Sequence, residues 1–196
     1  MSLNWNNISD INVLEKVKFE KLEELYLDYN KIIDINILKD INFKELKHLG
    51  LSNNNISDIK VLEKVNFQKL ETLNLDNNKI EDINILENVN FKEIKKFYLN
   101  SNDISGIKVL EKVNFEKLEI LDLNVNKISF INILKKVKFK ELKELYLSWN
   151  KISDIKVLEK VNFEKLEILD LYHNKLSGNE LIISKLKSKI KYFTYY

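Results

Sequence analysis

The chain contains no cysteine, no proline, no alanine and no arginine, and only three of its 196 residues are glycine. Without thiols there can be no disulfide and no Cys-ligated metal. Without arginine there is no bidentate guanidinium clamp and no arginine finger. Three scattered glycines cannot build a Gly-rich phosphate loop. Charge of one sign is missing as well: 32 lysines face 30 acidic residues, a formal charge of +2. That balance excludes a global basic field and argues against a nucleic-acid partner. Apolar runs are a few residues long, short of the ~20 that a membrane-spanning helix needs. The opening MSLNWNNISD has neither the basic region nor the apolar core of a signal peptide. A cytoplasmic location is therefore expected, or a secreted or surface one if an export signal has been removed.

Repetition fills the space these absences leave. Six units of 24 residues follow one another without insertion: 20–43, 44–67, 68–91, 92–115, 116–139 and 140–163. Leu3, Asn6, Ile8, Asp10, Ile11 and Phe19 fall in the same phase as Leu27, Asn30, Ile32, Asp34, Ile35 and Phe43, so the chain opens on a partial unit. A tandem array stacks into one continuous core however long it is. The expected organisation is one domain: a partial repeat or cap at 1–19, a solenoid at 20–174, and a capping helix or strand at 175–196. A longer period of 48 residues runs beneath the short one, because INILKDINFKELK-type segments alternate with IKVLEKVNFEKLE-type segments.

Within a unit such as 140–163, Leu145 and Leu147 alternate with polar neighbours, the signature of a half-buried strand. The following I-x-D-I-x-x-L is expected to form one or two helical turns, with Asp10, Asp34, Asp58, Asp82 and Asp154 as N-cap acceptors. Val157, Leu158 and Val161 would share one face of that helix. Phe19, Phe43, Phe67, Phe91, Phe115, Phe139 and Phe163 form one column and read as a buried spine; truncating a central member should cost about 3–5 kcal/mol. The column from Asn30 to Asn174 should satisfy backbone groups of neighbouring turns. After residue 174 the pattern changes. Ile182, Leu186 and Ile190 suit an amphipathic helix, while Ile190, Phe193 and Tyr195 keep the phase of the earlier strand leucines. Helix then strand at about 190–195 is expected, with helix to the end as the alternative.

The run Leu142-xx-Leu145-x-Leu147-xx-Asn150 and its copies resemble the leucine-rich-repeat superfamily over essentially the whole chain. The segment N-x-I-x-D-I-x-x-L, as in Asn54, Ile56, Asp58, Ile59 and Leu62, is most similar to SDS22-like repeats, including those of bacterial internalins. Those families typically use units two residues shorter; the extra residues here sit around V-N-F. The resemblance implies an α/β repeat fold: a right-handed solenoid with a parallel sheet on its concave face and short helical turns on its convex face. It also implies protein recognition by the concave face. No Ig-like module or cell-wall anchor motif accompanies the repeats, so a complete internalin is not expected. No phosphatase-regulator binding residue can be carried over from SDS22-like proteins.

Comparing the units with one another separates scaffold from freedom. The residue between the strand leucines runs Tyr26, Gly50, Asn74, Tyr98, Asp122, Tyr146, Asp170, and the residue before the Asn runs Trp5, Tyr29, Asn53, Asn77, Ser101, Val125, Trp149, His173. Exposed aromatics on a sheet suggest contact, although tyrosine also simply suits strands. The densest patch is in the C-terminal half, and the candidate partner-binding residues are Tyr98, Ile120, Asp122, Glu144, Tyr146, Trp149, Asp170 and Tyr172. Against the strand-exposed acids Glu24, Asp28, Asp76, Asp122, Glu144 and Asp170 stands only Lys96, which predicts an acidic face and a protein partner with a basic surface. Phe130 occupies a position that is Asp in most units and marks a candidate edge-side contact.

Catalysis has little to stand on. His48 and His173 are five units apart, roughly 24 Å at the spacing of adjacent strands, too far to share a metal or a proton. Asp170 and His173 have no organised nucleophile beside them, and an open sheet does not exclude water from a carboxylate pair such as Asp122 and Asp170. The expected function is a non-catalytic protein-binding module without cofactor or metal, a monomer rather than an oligomer. The alternatives are a structural protein stacking end to end and an SDS22-like phosphatase regulator.

Overall fold

The structure is a computed structural model that describes residues 1–196. Each unit contributes one three-residue strand: β1 (Glu24–Tyr26), β2 (His48–Gly50), β3 (Thr72–Asn74), β4 (Lys96–Tyr98), β5 (Ile120–Asp122), β6 (Glu144–Tyr146), β7 (Ile168–Asp170) and β8 (Tyr192–Thr194). They form one parallel sheet in sequence order. The register advances by one unit per strand, so Leu25, Leu49, Leu73, Phe97, Leu121, Leu145, Leu169 and Phe193 make a single row across it. Ser2 bridges in parallel to Tyr26 and extends the sheet at the N-terminal edge. Because side chains alternate along a strand, this row points into the core while the residues on either side of it line the outer face.

The return leg of each unit carries a 3₁₀ turn of four or five residues, such as Asn36–Lys39, Lys108–Glu111 and Lys156–Glu159. These are single turns with i→i+3 bonding, the geometry that suits short pieces. Val161 lies beyond its turn, yet it is buried beside Val157 and Leu158. The aspartates do not act as N-caps. Each sits two residues ahead of the turn and takes the N–H of the turn's first residue, as Asn36 N–H donates to Asp34 Oδ1 at 2.7 Å. This local side-chain turn bends the chain before the helix begins.

One cluster of 56 buried apolar residues runs the length of the molecule, so the core has no break. Phe43, Phe67, Phe91, Phe115, Phe139 and Phe163 are buried in it, whereas Phe19 is 42% exposed because no earlier turn covers it. The asparagine column forms a ladder behind the sheet. Asn102 Nδ2 donates to the carbonyls of Leu75 in the preceding turn and Leu99 in its own, at 3.0 and 3.1 Å, and its Oδ1 accepts the Ile80 N–H at 3.0 Å. Asn54, Asn78, Asn126 and Asn150 repeat this arrangement.

The 48-residue period turns out to have a physical consequence. Glu23, Lys47, Glu71, Lys95, Glu119, Lys143 and Glu167 alternate in sign up one column, and Glu45, Lys69, Glu93, Lys117, Glu141 and Lys165 alternate up another. Neighbouring turns therefore meet as ion pairs, including Lys47–Glu23 at 2.9 Å, Lys95–Glu71 at 2.8 Å and Lys165–Glu141 at 2.6 Å. A strict single-unit repeat would stack like charges at the spacing of adjacent strands, which is unfavourable. Each pair is exposed and worth little alone; alternation chiefly removes repulsion.

At the C-terminal end, helix α1 (Glu180–Lys189) buries Ile182 and Leu186 against the solenoid, and β8 follows it in the phase of the earlier strands, Tyr192, Phe193 and Thr194 pairing with Ile168, Leu169 and Asp170. Ile190 is itself buried as the link between the two.

Candidate functional site

The sheet's outer face consists of parallel columns, and register fixes which side chains meet. In the first column Ile120, Glu144 and Ile168 are aligned neighbours. In the second, Tyr98, Asp122, Tyr146 and Asp170 follow one another across β4 to β7. Aromatic ring and carboxyl group thus alternate. Beyond the strand ends lie Trp149 and Tyr172, whose rings meet edge to face at 6.4 Å. All eight candidate residues fall on four consecutive strands, β4 to β7, or just beyond their ends. Six of them are half-buried; Trp149, at 54%, is the most exposed.

His173 was missed as a member of this group. Its ring lies 3.9 Å from that of Trp149 and 4.2 Å from that of Tyr172, so the three form one aromatic cluster. The signal for it was available, since His173 belongs to the same pre-asparagine column as Trp149. A second stack stands at the other end of that column, where Trp5 and Tyr29 lie parallel at 3.5 Å.

The column has a backbone property that residue variation did not reveal. Trp5, Tyr29, Asn53, Asn77, Ser101, Val125, Trp149 and His173 all have positive φ, between 51° and 59°. Here the chain leaves the sheet and turns toward the asparagine, and only a left-handed residue makes that corner. Asparagine accepts this conformation readily; a β-branched valine or a tryptophan does so at a cost.

The acidic groups are more than surface charge. Beyond each strand one N–H has no ladder partner, and side chains supply it. Asn124 N–H donates to Asp122 Oδ1 at 2.9 Å and Tyr172 N–H to Asp170 Oδ1 at 3.0 Å. Asn100 N–H reaches back to Asp76 Oδ1 at 2.7 Å, and Ser52 N–H to Asp28 Oδ1 at 2.8 Å. Gly50 leaves the room this needs, because a Cβ there would come within 2.5 Å of the Asp28 carboxylate.

Burial has electrostatic consequences. It pushes the Asp76 carboxyl up to about 7, against the lowering effect of the Asn100 N–H and helped by Asp122 and Asp28. It pushes Asp122 up to about 6, with Asp170 contributing. The face therefore carries less negative charge at neutral pH than its carboxyl groups suggest, since desolvation disfavours the ionised form. Burial also raises the Tyr98 phenol. It raises the Tyr146 phenol too, whose O–H donates to Glu144 Oε2 at 2.7 Å. These tyrosines stay neutral hydrogen-bond donors with apolar faces.

No helix is long and apolar enough to cross a membrane. Family models described as Leucine Rich repeats (2 copies), Leucine Rich repeat and Leucine Rich Repeat match residues 44–88, 141–155 and 165–186. No curated protein matches the sequence significantly. Among solved structures, an internalin (inlF) of Listeria monocytogenes is similar at 26% identity with a TM-score of 0.78, over 97% of this chain and 52% of that one. The chain thus spans about half the length of that relative. Internalin C2 of the same organism is similar at 25% identity with a TM-score of 0.82, over 100% of this chain and 79% of the other. A Leptospira interrogans LRR protein shares the fold at 21% identity and a TM-score of 0.63, over 100% of this chain and 60% of that one. Alike in repeat sequence and in the way its turns stack, the chain is a leucine-rich-repeat protein, a right-handed solenoid with internalin-like repeats.

Proposed function

We propose that the chain is a non-catalytic protein-recognition module. Its binding site is the concave sheet face over β4 to β7, and its partner presents basic side chains beside an apolar or aromatic anchor. The observation that carries this reading is the corner column. Asn53 and Asn77 show that a small amide serves the corner well, yet Val125, Trp149 and His173 hold the same conformation with large, exposed side chains. The corner itself asks for no large side chain, and strain of this kind collects at ligand-contacting positions.

The chemistry of the partner follows from the second column. A lysine or guanidinium group placed over Asp122 would meet the rings of Tyr98 and Tyr146 on the flanking strands. It would also favour the ionised form of a carboxyl group that burial holds partly protonated. Trp149, Tyr172 and His173 offer the adjoining apolar anchor, the residue types that dominate binding hot spots. Affinity should rise with pH through about 6, because the cation prefers the ionised Asp122.

Affinity capture from the source cells tests the reading, with wild type, Trp149→Ala and Asp122→Asn/Asp170→Asn as baits. Asparagine retains the oxygen that accepts the Asn124 and Tyr172 N–H groups, so the double variant keeps the corner intact. A partner retained by wild type and weakened at least about tenfold by either change supports the site. Equal recovery on all three baits sinks it. Light scattering over a concentration series separates the end-to-end alternative, which requires mass to grow with concentration.

A further inference from the structure

The grooves between successive 3₁₀ turns are alike in shape but not in chemistry. In five turns the residue two before the 3₁₀ segment is Asp, and each takes a backbone N–H at 2.7 to 2.9 Å: Asp10, Asp34, Asp58, Asp82 and Asp154. In two consecutive turns that position holds Gly106 and Phe130 instead. The turns Lys108–Glu111 and Asn132–Lys136 form without the aspartate bond. Phe130 is 78% exposed. A Cβ on Gly106 would meet nothing within 4 Å, and its φ is not left-handed, so neither packing nor conformation calls for glycine there.

These two residues line a groove of about 460 Å³ together with Ile107 and Ile133. Its charge is reversed relative to the groove two turns earlier. There Asp58, Glu63, Asp82 and Glu87 face one lysine, Lys60. Here Lys108, Lys135 and Lys136 face one glutamate, Glu111, which lies 3.2 Å from Lys136. Lys108 and Lys135 enter no ion pair, whereas Lys112 pairs with Glu87 and Lys136 with Glu111.

We propose that this groove is a second docking site, separate from the sheet face, for an acidic partner segment that carries an apolar side chain. Covering the Phe130 ring removes a large apolar surface from water. Carboxylates flanking that anchor reach Lys108 and Lys135, whose flexible, hydrated ammonium groups suit a rim contact that steers and selects. The sheet face, being acidic, would repel the same segment, so the two sites sort partners of opposite charge.

The test uses the full chain and a short dye-labelled peptide in which glutamates flank a Leu-Phe pair, read by fluorescence anisotropy. Phe130→Asp and Gly106→Asp restore the residue found in the other turns and should leave the melting temperature unchanged or higher. Saturable binding is expected, weakened about tenfold or more by Phe130→Asp and by Lys108→Glu/Lys135→Glu, and unaffected by Trp149→Ala. No saturable binding, or equal binding by Phe130→Asp, overturns the proposal. So does equal binding of an all-glutamate peptide, which would reveal mere counter-ion attraction, or of a single-stranded oligonucleotide. Growth in mass of the protein alone that Phe130→Asp abolishes would assign the groove to a second copy of the chain and overturn it as well.

Discussion

Two neighbouring residues of every turn have opposite fates. The asparagine of the ladder is the same in every unit from Asn6 to Asn174, and from Asn30 to Asn150 it is buried and bonded to both its own and the preceding turn. The residue just before it ranges from serine to tryptophan, and its side chain mostly points to solvent from a left-handed backbone. The asparagine cannot change because its amide is the partner of several buried backbone groups at once. The corner residue can change because the fold asks only for a conformation there, and leaves the side chain free. A constrained position and a free one are separated by a single peptide bond.

Substitutions on either side of that bond can break or sharpen this contrast. Asn102→Ala should be the most damaging, since it strands the Ile80 N–H and two buried carbonyls; a loss of about 2–4 kcal/mol in urea unfolding is expected. A loss below that of an ordinary surface change would mean the ladder does not hold the turns together. Val125→Asn should act in the opposite direction, stabilising by about 1 kcal/mol as left-handed strain is relieved. If it destabilises, Val125 has packing value and the strain argument fails.

Asp76→Asn probes the face electrostatically. The folded-state pKa of Asp76, about 7, lies above the unfolded value of 3.8, so the folded protein retains a proton that the unfolded chain releases. Stability should therefore fall as pH rises from about 4 to about 7, and Asp76→Asn should flatten that slope. At pH 8 the variant should be more stable by roughly 1–2 kcal/mol, after allowance for solvent screening. A pH profile identical to wild type would contradict burial as the cause. Ser101→Ala, one residue from Asn102, should change stability by less than about 0.5 kcal/mol, and completes the contrast.

The repeat made much of this readable in advance. A fixed unit without insertions tells which residues align, so the strand row, the phenylalanine spine and the asparagine ladder could be placed from spacing alone. It misled at the end, where Phe19 has no preceding turn to cover it, and in the return leg, where the aspartates bend the chain ahead of a 3₁₀ turn instead of capping a helix. The candidate patch was legible as far as variation marks exposure. His173 was marked by its column alone; that its ring meets Trp149 depends on side-chain direction, which spacing does not give. The roles of Asp122 and Asp170 escaped because an unpartnered backbone N–H cannot be seen in a string of letters.

What the sequence by itself determined is periodicity: which side chains share a row, and hence one continuous core and a parallel sheet in chain order. It also set the alternating charges that let turns stack as ion pairs. Only the tertiary structure decided what each row experiences. Stacking converts the variable corner column into eight left-handed residues, buries Asp76 and Asp122 enough to raise their carboxyl groups toward neutral pH, and leaves Phe130 exposed. Those outcomes depend on distances between turns that are 24 residues apart in the chain and adjacent in space. Local sequence carries no record of desolvation or strain until its neighbours are in place.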